Sequence, residues 1–246
     1  MNATTRTHTA AQAGPLTLDI ELTAGMIRVT VEDRHRAEVT ITTAQDTGPT
    51  AYAVRNATIT DGAGHLTVRL PQHTDGGMTQ TVHTSGRGVT VIQSGGTVYG
   101  TVVGAIVTGG TFYSGRDVTI TSGNVSIGAP ITIDVRLPLG SSLTAGTTSA
   151  DVETFGVLAS AEVRTVSGDI RIDSTGPADL RSTSGDIRVA FTGTTARAKT
   201  VSGDIRVHAL TPDATVHARS VSGDIRVTGT NVDLNARTVS GRVTTR

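Results

Sequence analysis

Arg164-Thr-Val-Ser-Gly-Asp-Ile-Arg-Ile172 recurs as Arg181-Ser-Thr-Ser-Gly-Asp-Ile-Arg-Val189, Lys199-Thr-Val-Ser-Gly-Asp-Ile-Arg-Val207 and Arg219-Ser-Val-Ser-Gly-Asp-Ile-Arg-Val227. It returns once more, altered, as Arg237-Thr-Val-Ser-Gly-Arg-Val-Thr-Thr245. The central glycines, 168, 185, 203, 223 and 241, are spaced 17, 18, 20 and 18 residues apart. Agreement at this many positions with a nearly constant period is the signature of a repeat architecture. Side chains of a strand alternate between two faces, so Val201, Gly203, Ile205 and Val207 share one face and Ser202, Asp204 and Arg206 the other. The first face is apolar and is expected to point inward, with Gly203 permitting a bend; the second is expected to meet solvent.

Ala198 is also an inward candidate, as are its equivalents Val163, Leu180, Ala218 and Ala236. It lies three residues before Val201, out of phase with it, which predicts a corner near Lys199 and Thr200. Short strands joined by corners and repeated every 18 residues or so describe one circuit of a coil. The expected fold is therefore all-β: a single-stranded β-solenoid, parallel β-helix-like, with rungs of about 18 residues stacked about 4.8 Å apart. Thr175-Gly-Pro177 and Thr211-Pro-Asp213 are expected to bulge at corners, where Pro costs no ladder hydrogen bond. The competing fold, a β-sandwich of hairpins, calls for Asn-Gly or Asp-Gly turns, whereas here Ser-Gly-Asp lies inside the strand pattern.

Weaker echoes run back through the chain. Ala150 is in phase with Gly168, and Ala24-Gly-Met-Ile-Arg-Val29, Ala63-Gly-His-Leu-Thr-Val68 and Ser122-Gly-Asn-Val-Ser-Ile127 keep a small-Gly-x-apolar-x-apolar pattern. Ser94-Gly-Gly-Thr-Val-Tyr-Gly100 and Thr108-Gly-Gly-Thr-Phe-Tyr-Ser114 form a second, shorter echo. The expected organisation is a disordered tail over 1–14, N-terminal rungs or a β cap over 15–72, an inserted Gly/Thr-rich β segment over 73–129, and regular solenoid over 130–246.

Composition narrows the function. Hydrophobic residues make up 36% and aromatics 2% of 246 residues, with no Trp, which suits a thin core of Val, Ile, Leu and Ala. The 21 basic and 21 acidic residues balance, against the basic excess of a nucleic-acid binder. Cysteine is absent, which removes disulfides and thiolate chemistry. No apolar stretch is long enough to span a bilayer; Val98 to Val107 is short and broken by Gly100 and Gly104. The opening Met1-Asn-Ala-Thr-Thr-Arg lacks the apolar run of a secretory signal, so the expected location is cytoplasmic, with the cell surface as the alternative.

Stacking would align Asp169, Asp186, Asp204 and Asp224 in one column and Arg171, Arg188, Arg206 and Arg226 in the next. Like charges about 4.8 Å apart repel by roughly 1 kcal/mol in water, and the neighbouring column of opposite sign offsets this. The ladder reads either as a solvated, self-compensating face or as a candidate docking lattice for a protein partner. The serines at 167, 184, 202, 222 and 240 read as small polar turn residues or as a sugar-contacting array. In the last unit Arg242, Thr244 and Thr245 replace Asp, Arg and an inward aliphatic residue, which reads as a blunted end or a self-association surface.

Catalytic patterns are missing. The histidines show only a loose His73…His83 pair with no acidic or thiol cluster beside it, and Gly-x-Ser-x-Gly and phosphate-loop motifs are absent. No enzyme activity, metal or cofactor is expected.

The tandem Val-Ser-Gly-Asp-Ile-Arg-Val units resemble the bacterial putative-adhesin β-strand-repeat family, a domain of unknown function. So does the segment leading into them, Ile131-Thr-Ile-Asp-Val-Arg-Leu-Pro-Leu-Gly-Ser-Ser-Leu143, which His65-Leu-Thr-Val-Arg-Leu-Pro71 echoes. The resemblance implies a β-solenoid-like fold and supplies no catalytic residues. The expected function is a non-enzymatic scaffold or protein-interaction module, self-associating through a solenoid end. A surface adhesin or glycan-binding protein is the alternative, and a polysaccharide-active enzyme the third reading.

Overall fold

The computed structural model describes residues 3–71 and 129–246 in full, and the backbone alone of 79–85, 88–94, 107–108 and 111–112. The chain divides into two compact units, Met1–Pro71 with Pro130–Arg246, and Gln72–Ala129. The first half of the larger unit supplies β1 (Thr4–Thr9), β2 (Thr17–Glu32), β3 (Glu38–Thr43), helix α1 (Pro49–Arg55), β4 (Thr58–Gly62) and β5 (His65–Arg69). The smaller unit contains the antiparallel pairs β6 (Thr79–Ser85) with β7 (Gly88–Ser94), and β8 (Val107–Thr108) with β9 (Thr111–Phe112). After it come β10 (Ile131–Pro138), β11 (Ser142–Leu158), β12 (Ala161–Arg164), β13 (Ile170–Thr175), β14 (Ala178–Arg181) and β15 (Ile187–Phe191). The chain continues through β16 (Thr195–Lys199), β17 (Ile205–Ala209), β18 (Thr215–Arg219), β19 (Ile225–Thr228), β20 (Asp233–Arg237) and β21 (Val243–Thr245).

From β11 onward each circuit lays its strands parallel to those of the circuit before. One file runs β11-β12-β14-β16-β18-β20 and the other β11-β13-β15-β17-β19-β21. This is the stacked-rung solenoid expected from the period. Ile133, Ile27, Val152, Ile170, Ile187, Ile205, Ile225 and Val243 stand in register as a single column. On the other file Ala145, Val163, Leu180, Ala198, Ala218 and Ala236 do the same. Up to the last rung, where Val243 is exposed, the two columns fill one continuous core. Burying each Val, Leu or Ile side chain contributes roughly 1.5–3 kcal/mol. Phe191, fully buried, is flanked in register by the smaller Thr175 and Ala209 of adjacent rungs, so a single ring fits a core this thin.

The rung order departs from chain order at the start of the solenoid. β2 lies between β10 and β11, parallel to both, and its first half also pairs in parallel with β5. β5 and β10 thus form one circuit interrupted at its corner, opposite the turn in β2 around Gly25, with residues 72–129 lying between the two strands in sequence. Both halves of this circuit stay paired to β2 on either side of the interruption. Beyond this circuit the parallel pattern ends: β3 runs antiparallel to β10, β1 antiparallel to β3, and β4 antiparallel to β5. Thr4–Thr9, expected within a disordered tail, form β1 because this half-exposed, Thr-rich strand pairs along the whole of β3.

Three readings of the repeat need correction. Val201 does not point inward: Val166, Val201, Val221 and Val239 are 48%, 43%, 47% and 83% exposed. The buried column is one residue earlier, at Thr165, Ser182, Thr200 and Ser220. The alternation that begins at Ala196 and Ala198 therefore continues to Thr200, and the corner follows it, over Val201–Asp204, instead of preceding it. In the later rungs the hydroxyl meets a carbonyl that the corner turns toward the core: Thr200 Oγ1 donates to Gly185 O at 3.3 Å, Ser220 Oγ to Gly203 O at 3.3 Å and Thr238 Oγ1 to Gly223 O at 3.0 Å. The buried Ser182 Oγ, by contrast, makes no hydrogen bond among the described residues. The third correction concerns Ala63-Gly64, which is not a rung corner but the two-residue turn of the β4–β5 hairpin. Both residues have positive φ, 36° and 81°, as that turn class requires. The Ser122–Ile127 and Ser94–Gly100 echoes lie wholly or mainly outside the described residues, as does His73.

Candidate interaction surface: the charged ladder and the uncovered last rung

Glycine sets how closely the rungs approach at the corner. A Cβ on Gly203 would stand 2.7 Å from the carbonyl carbon of Gly185 and closer still to its oxygen; one on Gly223 would stand 2.6 Å from the carbonyl carbon of Gly203. Their φ angles, 144° and 146°, are also ones that side chains disfavour. The serines beside them bridge in parallel, Ser184 to Ser202 to Ser222 to Ser240, and extend the sheet through the corner.

This close approach gives the aspartates a structural task. Asp186 N–H donates to Asp169 Oδ1, Asp204 N–H to Asp186 Oδ1, and Asp224 N–H to Asp204 Oδ1, each at 2.9 Å. Arg242 N–H donates to Asp224 Oδ1 at 2.8 Å, and Asp151 accepts from Asp169 N–H at the other end. One carboxylate oxygen of each residue is thereby committed to the next rung's backbone. The second oxygen of Asp186 and of Asp204 meets the arginines: Arg188 to Asp186 at 2.8 Å, and Arg206 to Asp204 at 2.9 Å and to Asp186 at 3.4 Å. Arg171 pairs with Glu153 at 3.2 Å, while Arg226, although in register with the other three, makes no ion pair among the described residues. All eight ladder residues stand in the two expected columns. The backbone role of the aspartates could not be read from the sequence, because it depends on which rung's N–H meets the carboxylate. At the last rung Arg242 supplies no carboxylate, so the ladder stops there.

A second cation column escaped notice although it is the first letter of every repeat: Arg164, Arg181, Lys199, Arg219 and Arg237 are in register. The first two have acids on their own strands. Arg164 meets Glu162 at 2.6 Å, and the two hydrogen bonds that Arg181 donates to Asp179, reinforced by the carboxylate's charge, raise the Arg181 guanidinium above its ordinary pKa. The acids' register continues as Arg197, His217 and Asn235, so Lys199, Arg219 and Arg237 make no ion pair among the described residues.

The last rung is open. Among the described residues β20 and β21 are paired on one side only. Val216 and Ala218 of β18 are fully buried, but their successors Leu234 and Ala236 are only half-buried and Val243 is exposed. Asp233 N–H donates to Ala214 O, and Arg237 O accepts from Ser220 N–H, so the backbone groups of the odd-numbered residues face β18. In a parallel ladder alternate residues face opposite edges, which leaves the N–H and C=O of Leu234 and Ala236 on the open edge. At the opposite end the edge strand β1 is tied down by polar bonds, Thr4 Oγ1 to Gln45 O at 2.7 Å and Arg6 Nη1 to Arg55 O at 2.8 Å. Among the described residues no group of three or more His, Asp or Glu gathers within metal-ligating reach, and no helix is long and apolar enough to cross a membrane.

These features define a solenoid-like, nearly all-β repeat protein whose rungs are joined at glycine corners. The chain belongs to the Toastrack DUF4097 family, whose model matches residues 16–246. Solved structures with similar architecture include a putative adhesin from Bacteroides fragilis NCTC 9343, at 12% identity and TM-score 0.43, covering 100% of this chain and 97% of the other. Another is a putative cell adhesion protein from Clostridium sporogenes ATCC 15579, at 9% identity and TM-score 0.42, covering 99% and 98%. A putative lipid binding protein from Parabacteroides distasonis ATCC 8503 matches at 12% identity and TM-score 0.32, covering 98% and 94%. No curated protein matches the chain.

Proposed function

We propose that this chain is a non-enzymatic interaction module that self-associates through its last rung. The observation that carries this reading is the loss of cover at the end of the core: Leu234 and Ala236 are half-buried and Val243 is 40% exposed, where the preceding rung's equivalents are sealed. An edge that exposes both unpaired backbone groups and apolar side chains gains from accepting another strand. In this reading the charged ladder belongs to the rigid frame, since one oxygen of each aspartate already holds the next rung.

The test is the mass in solution across a concentration series. The wild-type chain is expected to associate, and Ala236→Pro to be monomeric. Ala236 directs its N–H to the open edge, so proline there removes an edge donor without touching the bonds to β18. A wild-type chain that stays monomeric at the highest concentration would sink the reading.

A further inference from the structure

The sequence of β20, Asp233-Leu-Asn-Ala-Arg237, is complementary to itself when reversed. Asp233 and Arg237 are both exposed, neither makes an ion pair among the described residues, and about 13 Å of extended strand separates them, so they do not meet within one molecule. Resting on the self-association just described, we propose that two copies join through β20 as an antiparallel, two-fold pair centred on Asn235. The added strand is the second copy's own β20.

Side-chain facing and charge together select this register, and the backbone is compatible with it. Inward and outward residues must face their like across the junction, which excludes every register that sets an even-numbered residue opposite an odd one. In the register centred on Asn235, Asp233 faces the second copy's Arg237, and the two-fold axis repeats the pair, so both unpaired charges of each copy are matched. Centring on Ala236 instead would set Asn235 against Arg237, and centring on Leu234 would set Asp233 against Asn235; both leave charges unmatched. The backbone agrees. Leu234 and Ala236 are the residues whose N–H and C=O groups face the open edge, and in this register they lie opposite one another, as an antiparallel hydrogen-bonded pair requires. Their side chains also pair large against small across the seam and close the core that β20 leaves uncovered.

The experiment is a charge swap read by light scattering or analytical ultracentrifugation at low salt. Asp233→Arg places two Arg–Arg pairs at the junction and Arg237→Asp two Asp–Asp pairs; each is expected to weaken association by about 30-fold. The double variant Asp233→Arg/Arg237→Asp restores both pairs and is expected to return to wild-type affinity. Equimolar Asp233→Arg and Arg237→Asp chains, each weak alone, are expected to form a heterodimer, because one then carries two cations opposite the other's two anions. If the single variants associate like wild type, or if the double variant and the mixture stay dissociated while Ala236→Pro remains the monomeric control, the register is wrong and self-association through the rung stands. A monomeric wild type overturns both.

Discussion

Gly203→Ala is the substitution that bears most directly on how the rungs are held. The added Cβ would stand 2.7 Å from the carbonyl carbon of Gly185, and atoms of this kind do not approach within 3.0 Å. The obstacle is the backbone of the neighbouring rung, so no side chain can swing aside; the rungs must part by several tenths of an ångström at this corner. The bonds nearest the added Cβ are three: Gly185 N–H to Ser202 O at 3.0 Å, Asp204 N–H to Asp186 Oδ1 at 2.9 Å, and Thr200 Oγ1 to Gly185 O at 3.3 Å. Weakening them costs about 1 kcal/mol each. Forcing alanine to a φ of 144° adds about 1–3 kcal/mol. The expected loss is therefore about 4–6 kcal/mol, read from the shift of the urea midpoint at constant slope, with Ser202→Ala as an exposed control expected near zero. Hydrogen exchange should show faster opening at Ser184, Ser202 and Ser222, whose amides bond across the same corner. A loss below about 1 kcal/mol would refute the claim that the corner glycine is required by rung spacing.

Two further substitutions examine the ladder and the corrected face assignment. Asp186→Ala removes the acceptor of the Asp204 N–H and the partner of Arg188 and Arg206, and should cost about 1–2 kcal/mol by chemical denaturation; Asp186→Asn, which retains a side-chain oxygen, should cost less than half of that. Val201→Ser should change stability by less than about 0.5 kcal/mol, since the residue is exposed, whereas Ile205→Val in the same unit should cost about 0.5–1.5 kcal/mol; equal losses would restore the inward assignment of Val201.

The period and the residue types made the stacked circuits legible before any coordinates. Identical units spaced 17 to 20 residues apart bury their aliphatic residues by lying over one another, so the Ile170, Ile187, Ile205 and Ile225 file followed from the spacing. The two charge columns followed in the same way. The phase across a corner was not legible. Alternation holds only within a strand, and where the turn begins depends on whether Thr200 or Val201 is the better inward residue. Hydropathy favours valine, but the carbonyl of Gly185 faces inward at that point, so the hydroxyl is buried and the valine is left outside. The Ala63-Gly64 turn was misread for a related reason, since a small-Gly pair serves a hairpin as well as a corner, and only the antiparallel pairing of β4 and β5 separates the two.

The sequence by itself determined the rung length and the inward aliphatic file, because these are properties of one unit repeated. Only the tertiary structure decided that β2 slides between β10 and β11, that each aspartate holds the following rung's amide, and which edge of β20 is left open. Those are relations between segments far apart in the chain. A local pattern of side chains states which face is buried, but it does not state which backbone lies alongside.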